Sequence, residues 1–445
     1  EFLAGGNGPG SLQKVRAGAS KDGVLTALSC DGYSLGGVGR GSLAGLPYVY
    51  DCKHVYREGG AIHTNEDASV ALRAPGHPQA SFVMESVMDE LADKIGMDPV
   101  EFRKKNKNDE AWHRQLDVGA KAIGWDRRNA KPASGDGVVK RGMGCGLGQW
   151  GGGGGPKCVV TVQIGKDGTV VPSVGSQDLG TGTRTYVRAI VAEELGLSMD
   201  DVKEEIGNSK LGDANGSGGS TTAASLAPAV KDAAVKARLA FAGRLAPVLG
   251  VSAEDVRFED GSVTAKDKSL KWKDACASLP AAGLSAVGTW QRGLSGGGVH
   301  GACFAEVEVD TETGYIRPIK MVHVQDAGLP LSRLTLESQI NGGMIQALGM
   351  ALYEGRVIDP KLGIMLNPEF GSYKLPGCLE MPELVPIIDD GDKRQEVIGI
   401  AESTNVAGVG AVANAVFNAC GVRVRELPIT PDKILDGLRK QKGTA

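Results

Sequence analysis

No two cysteines in this chain are spaced as a metal clip. The eight of them (Cys30, Cys52, Cys145, Cys158, Cys276, Cys303, Cys378, Cys420) include no CxxC pair, and the six histidines form neither HExxH nor HxH. The zinc and iron-sulfur frameworks that such spacings build are therefore excluded, and any metal has to arrive inside a cofactor. The cysteines read as reduced, mostly buried small residues. Long apolar runs are absent as well: none approaches the roughly 18 residues of a membrane span, and the opening EFLAGGNGPG has neither the charged start nor the apolar core of a secretion signal. The expectation is a cytoplasmic chain with no membrane partner. A basic block is also missing. The formal net charge of -4 is spread along the sequence, which gives no electrostatic footprint for nucleic acid.

What the chain has in excess is glycine. It holds 66 in 445 residues, about 15% and roughly twice the usual share, with no collagen-like period and with the hydrophobic content intact at 41%. Those glycines are expected in ordered tight turns and ligand loops, within a chain long enough for two or three domains. Residues 1 to about 75 read as short strands and turns. An amphipathic helix is predicted over about 79–95, with Phe82, Val83, Val87, Leu91 and Ile95 at helical spacing, closed by Gly96; Asp98-Pro99 starts a second short helix through Arg103. The polar stretch from about 127 to 140 is the expected domain boundary. Beyond it come a β hairpin around Lys166-Asp167-Gly168, a helix through VAEELG, and an Ala-rich helix over about 221–245 with Pro228 in or near its first turn. The strands FAEVEVD and IKMVHVQDA and a helix at about 332–352 follow. The mixture argues for an α+β (mixed α/β) architecture.

Glu402 stands alone between an apolar run, Val397 to Ala401, read as a strand, and a helix predicted over about 409–420. A carboxylate placed there is either a helix cap favoured by the dipole or a catalytic group. Four glycine-rich segments accompany it: RAPGHPQ at 73–79, GQWGGGGGP at 148–156, GSQDLGTGT at 175–183 and GSGGSTTAAS at 216–225. Glycine lets the backbone turn tightly and approach a ligand, and amides at helix starts favour phosphate-like groups. GSQDLGTGTRT resembles a dinucleotide fingerprint only superficially, because Thr185 replaces its third glycine and no βαβ unit follows.

Taken together, these segments have a specific likeness. TN then RAPGHPQASFVMESVMDELADKIGMDPVEFRKKN, GSQDLGTGTRT with AEELG, GGSTTAAS, DAGLPLSRLTLESQINGGMIQALG, and GIAE followed by AVANAVFNACGVR and LPITPDKIL occur in the order and spacing of one family. Over nearly its whole length the chain resembles the C-terminal two thirds of the molybdenum-cofactor subunit of the xanthine dehydrogenase and aldehyde oxidoreductase family. The resemblance implies two cofactor-binding domains, 1–135 (the C-terminal part of the first) and 136–445, holding molybdenum-molybdopterin, expected as the cytosine dinucleotide. It implies Glu402 as the active-site base, in a motif the family usually writes GVGE and this chain writes with Ala401. Arg73 and Ala224 match backbone positions beside the metal. Gln177, Asp178, Gly180, Thr181 and Gly182, then Gly219, Ser220, Thr221 and Ser225, then Gln339 and Gln346, fall where the family grips the pyranopterin and its phosphates. Gly76 and Gln149 join that set. Without the resemblance, Gln339 and Gln346 read as a solvated helix face.

The implied activity is oxidative hydroxylation of a small molecule with oxygen taken from water. Xanthine-type members place an arginine about 32 residues before the one matched by Arg73 and an aromatic two residues after it. Here those positions hold Gly41, beside Arg40, and Pro75, with Trp150 a candidate replacement for the ring. The CO-oxidising branch carries a cysteine loop where this chain has RAPGHPQ. Aldehydes or N-heteroaromatic rings remain as expected substrates, with Arg40, Pro75 and Trp150 as candidate contacts. The first residue is not Met, and the family's Gly-Gly-Phe-Gly segment has no counterpart. A split subunit or a processed fragment is thus expected, with a second molybdenum-subunit chain, an iron-sulfur (2Fe-2S) subunit and an FAD subunit as partners. Two alternatives stay open: a non-catalytic cofactor-binding or assembly subunit, and a nucleotide-binding enzyme using GSQDLGTGT.

Overall fold

The computed structural model describes residues 6, 8–39 and 41–443. The chain opens with a three-stranded sheet in which β1 (Gly10–Ala19) pairs antiparallel with β2 (Leu25–Leu35), and β2 parallel with β3 (His54–Ile62). Three helices follow: α1 (His77–Ile95), α2 (Pro99–Lys105) and α3 (Glu110–Ile123). Gly96 in the left-handed conformation ends α1, and the Asp98 carboxylate accepts from Val100 and Glu101 N–H to start α2. α1 and α2 are locked by a fully buried ion pair, Arg103 Nε to Glu85 Oε2 at 2.7 Å, with Tyr50 donating to Glu85 Oε1 at 2.7 Å.

The rest of the chain contributes β4 (Val139–Trp150), β5 (Val159–Ile164), β6 (Val170–Val174), α4 (Thr183–Leu195), β7 (Glu205–Ile206) and α5 (Thr222–Leu249). Three short strands, β8 (Arg257–Glu259), β9 (Ser262–Ala265) and β10 (Lys268–Lys271), form a small sheet before α6 (Trp272–Cys276) and β11 (Leu284–Thr289). Last come β12 (Val299–Asp310), β13 (Ile316–Gln325), α7 (Arg333–Leu352), β14 (Glu383–Ile388), α8 (Gly408–Cys420) and α9 (Pro431–Gln441). Pro228, expected at the start of α5, lies inside that helix, as does Pro247.

A central sheet in the order β14-β13-β12-β4 carries α1–α3 on one face and α7 and α8 on the other, so it is lined by two separate cores. The sheet β11-β5-β6-β7, with α4 and α5, encloses a third core. The approach of α8 to β4 is set by sequence. Gly142, Gly144, Gly146 and Gly148 alternate along β4 and so share one face. A Cβ at Gly142 or Gly144 would lie 2.2 Å from the backbone of α8. That bare face lets an alanine-rich helix lie flush on a strand, and the turn carrying Glu402 leads directly into that helix.

Candidate active site

Five stretches of chain converge on the cavity beside Glu402: Arg73 ahead of α1, the 179–186 segment entering α4, the 217–223 segment entering α5, the 327–339 segment entering α7, and the 397–402 segment that leads toward α8. The strand expected over Val397 to Ala401 does not form. Only Val397 makes bridges, to Ser295 and Gly328. The apolar run is buried between loops instead, with Gly399 so close to the Ser220 carbonyl that a Cβ would lie 1.7 Å from it. A 3-10 turn over Ser403–Asn405 follows, and α8 begins only at Gly408. Glu402 stands at the N-cap position of that 3-10 turn without making a capping hydrogen bond, and the N-cap of α8 is Ala407.

Glu402 is 9% exposed. The Ser220 hydroxyl donates to its Oε2 at 2.9 Å and accepts from its backbone N–H at 2.9 Å. Burial pushes the carboxyl above its ordinary range, against the opposing pull of Ser220, the Ala74 backbone amide and the Arg73 charge. Arg73 is held from several sides. Its Nη2 donates to Gln339 O at 3.0 Å and Thr404 Oγ1 at 2.8 Å, Nη1 to Gln346 Oε1 at 3.2 Å, and Nε to Ala401 O. Burial lowers its guanidinium to about 10, with the Glu402 charge working in the opposite direction.

Arg73, Thr181, Gly219, Ser220, Gln339 and Glu402 line one cavity of about 300 Å³. Its wall is rich in hydroxyls: Thr222, within the 220–225 stretch that the resemblance assigns to the cofactor, and Thr183, Tyr186, Ser217, Ser332 and Thr335, which that assignment does not include. Thr183 and Ser217 lie within the glycine-rich segments at 175–183 and 216–225, and Ser332 and Thr335 within DAGLPLSRLTLES, but nothing in the sequence marks their hydroxyls as facing one cavity. The hydroxyls of Thr183 and Tyr186 are buried and lie close to each other, burial opposing the ionised form of Tyr186 while Thr183 favours it. At Gly180 and Gly218 a Cβ would meet nothing within 4 Å, so both face open space. No group of three or more His, Cys, Asp or Glu side chains among the described residues could hold a metal. The hydroxyls, amides and glycine loops of its wall fit an oxygen-rich ligand.

The other residues singled out from sequence lie at varying distances from this cavity. The Asp178 carboxylate takes the N–H groups of Gly180, Thr181 and Arg184, so the start of α4 beyond Gly182 already carries an anion of its own. Gln177 Nε2 reaches Ser217 Oγ at 2.5 Å and ties two glycine loops together. Thr221 and Ser225 are engaged within the first turn of α5 and its loop, and buried Ala224 accepts from Trp290 Nε1 at 3.1 Å. Gln149 exchanges backbone hydrogen bonds with the Tyr48 hydroxyl. Trp150 Nε1 donates to Gly219 O at 2.9 Å. Pro75 and Gly76 line a second, larger cavity of about 710 Å³ on the other side of Arg73. Arg40 lies outside the described residues.

The molybdopterin cofactor-binding domain is the family model that matches, over residues 118–382, and a second molybdopterin cofactor-binding domain model matches residues 1–107. The chain is 32% identical to the aldehyde oxidoreductase molybdenum-binding subunit PaoC of Escherichia coli K12, over 97% of this chain and 61% of that protein. It is 26% identical to the putative xanthine dehydrogenase molybdenum-binding subunit XdhA of the same organism, over 94% of this chain and 61% of that protein. The chain thus spans less than two thirds of the length of these relatives. Its fold is similar to that of quinoline 2-oxidoreductase from Pseudomonas putida 86, with a TM-score of 0.84 at 21% identity, covering 99% of this chain and 63% of that one.

Proposed function

Because the chain belongs to the family of molybdopterin cofactor-binding domains, we propose that it is the cofactor-bearing part of a molybdenum hydroxylase that oxidises an aldehyde or an N-heteroaromatic carbon with water-derived oxygen. The observation that carries the reading is Glu402: a desolvated carboxylate, raised above its ordinary range, in a cavity walled by hydroxyls and glycine loops. The names of relatives, an aldehyde oxidoreductase subunit and a quinoline oxidoreductase, support the two substrate classes. When bound, the molybdenum-pterin group supplies the two-electron redox chemistry. Thr181, Gly219 and Gln339 would hold it from the cavity wall, together with the hydroxyls of Thr183 and Tyr186, while the Ser220 hydroxyl is taken up by Glu402.

The protein's own contribution is a base and its setting. Glu402 accepts the proton released as the new carbon–oxygen bond forms, and its partial desolvation raises its proton affinity for that task. Arg73 ties the 73–79 turn, α7 and the 401–404 turn to one another, so the base and the cavity wall keep a fixed relation. The cofactor is proposed in its cytosine dinucleotide form, in a cytoplasmic assembly with a second molybdenum-subunit chain, an iron-sulfur (2Fe-2S) subunit and an FAD subunit that carry electrons away. Residues 1–135 and 136–445 are proposed as its two cofactor-binding portions.

The test is Glu402→Gln in the assembled complex. Molybdenum and pterin content should match the wild type, while turnover of aldehydes and azaheterocycles falls by at least about 100-fold. Equal turnover in the variant, or a molybdenum-loaded wild type inert toward both classes, overturns the reading.

A further inference from the structure

We infer that Ser220 is a positioning residue for Glu402, anchoring the carboxylate at Oε2 in a fixed orientation for proton transfer. The inference rests on the reading of Glu402 as the base. Ser220 and Glu402 are joined twice, by the Glu402 N–H to Ser220 Oγ at 2.9 Å and by the Ser220 hydroxyl to Glu402 Oε2 at 2.9 Å. The ionised carboxylate can only accept, so the hydroxyl, which takes the Glu402 N–H on one lone pair, gives its single proton to Oε2. The ring so closed runs through the backbone and the side chain of the same glutamate, which fixes the side-chain torsions as well as the oxygen.

A second observation is independent of the hydrogen bonds. Among the described residues, six other than glycine have φ in the left-handed region, and Ser220 at +61° and Ala74 at +58° are two of them. Both bear on the Glu402 carboxylate, Ser220 through its hydroxyl and Ala74 through its backbone amide. L side chains rarely adopt this conformation, and it concentrates where a site over-determines the backbone. Glycine at 220 would satisfy the turn without strain. What serine adds is the hydroxyl.

The restraints that hold Ser220 in place are visible. Trp150 Nε1 donates to Gly219 O at 2.9 Å, the Thr221 hydroxyl to Gly216 O and Gly218 O, and Gly399 lies flush against the Ser220 carbonyl. Trp150 therefore acts on the loop that aims the base. The charged group that faces Glu402 is Arg73, which is itself committed to Gln339, Thr404 and Ala401 and leaves Oε2 to Ser220.

The test uses Ser220→Gly, which eases the backbone and removes only the hydroxyl, in the full chain and in the assembled complex. Its melting temperature should be no lower than that of the wild type and its molybdenum content unchanged. With KM unchanged, kcat should fall about tenfold, the effect of one hydrogen bond to a charged oxygen. In the cofactor-free chain, hydrogen-deuterium exchange read by mass spectrometry should show faster exchange of the Glu402 amide. Ser220→Ala should lower kcat equally. An unchanged kcat, an unchanged amide exchange rate, or loss of molybdenum in step with activity each overturns the positioning role. Glu402→Gln run in parallel separates the two claims. If that variant stays active, the base reading fails; if it is inactive while Ser220→Gly is fully active, only the positioning role is lost.

Discussion

Glu402 and Arg73 face each other in the candidate site, and burial displaces each from its ordinary ionisation while the charge of the other works against the shift. For Glu402 the dominant influence is burial, which favours the protonated form and moves the carboxyl upward. A base works only when unprotonated. Turnover in the assembled enzyme should therefore rise with pH along an acid limb lying above the ordinary carboxylate range, near 4.3 in model peptides. Measurement of kcat/KM across pH should show that limb in the wild type and none in the residual activity of Glu402→Gln. Arg73 makes a second prediction. Lysine presents no planar fork, so Arg73→Lys cannot reach Gln339, Gln346, Thr404 and Ala401 together. A drop in unfolding midpoint equivalent to about 2 kcal/mol is expected, measured by urea titration. Arg73 and Glu402 were legible from the motifs flanking them. Thr404 was not, because its contact with Arg73 joins residues remote in sequence.

Among the elements, the helices read most clearly. The one predicted over 79–95 runs His77–Ile95, that over 332–352 runs Arg333–Leu352, and that over 409–420 runs Gly408–Cys420. α3 went unread because Gly119 interrupts its apolar face. That glycine is needed there: a Cβ would lie 2.3 Å from the Phe304 ring. Val397 to Ala401 misled in the opposite way. Its apolar residues are buried by loop contacts, and burial alone looks the same in sequence whether a strand or a loop achieves it. The glycine face of β4 yields a prediction at this scale. In Gly144→Ala the new methyl would lie 2.2 Å from Ala415 N, so α8 must shift. Overpacking of this kind costs about 1–3 kcal/mol, and activity should fall with it because the Glu402 turn moves with the helix. Gly151→Ala, where a Cβ meets nothing within 4 Å, should leave thermal stability and turnover unchanged.

At the scale of the whole molecule, the candidate site belongs to no single core. Its walls come from α4 and α5 on the third core and from α7 and the 397–404 segment at the central sheet. A ligand spanning both should stabilise the folded chain by mass action. Hydrogen exchange of the chain with and without the molybdenum-pterin group should show slowing concentrated at 176–183, 216–222 and 397–404. Slowing confined to one of these segments would count against a ligand that bridges the cores. None of the described helices is long and apolar enough to cross a membrane. The convergence of these segments came into view only with the tertiary structure. The sequence held the glycine loops and the carboxylate, but the two cores meet through contacts between remote segments, such as Gly399 against the Ser220 carbonyl and Trp150 Nε1 on Gly219 O, while α8 settles on β4 within the central sheet's own side.

That seating has a mechanical consequence. A strand face without side chains offers a helix no teeth to mesh with, so nothing in the glycines opposes sliding along the helix axis. The detents are two asparagines: Asn414 Nδ2 donates to Glu85 O at 3.1 Å and Cys145 O at 3.0 Å, while Asn418 accepts from Met143 N–H at 3.0 Å and donates to Asn129 O at 2.9 Å. The axial setting of α8, and through it the reach of Glu402, is thus indexed by amide side chains at the middle and the far end of the helix.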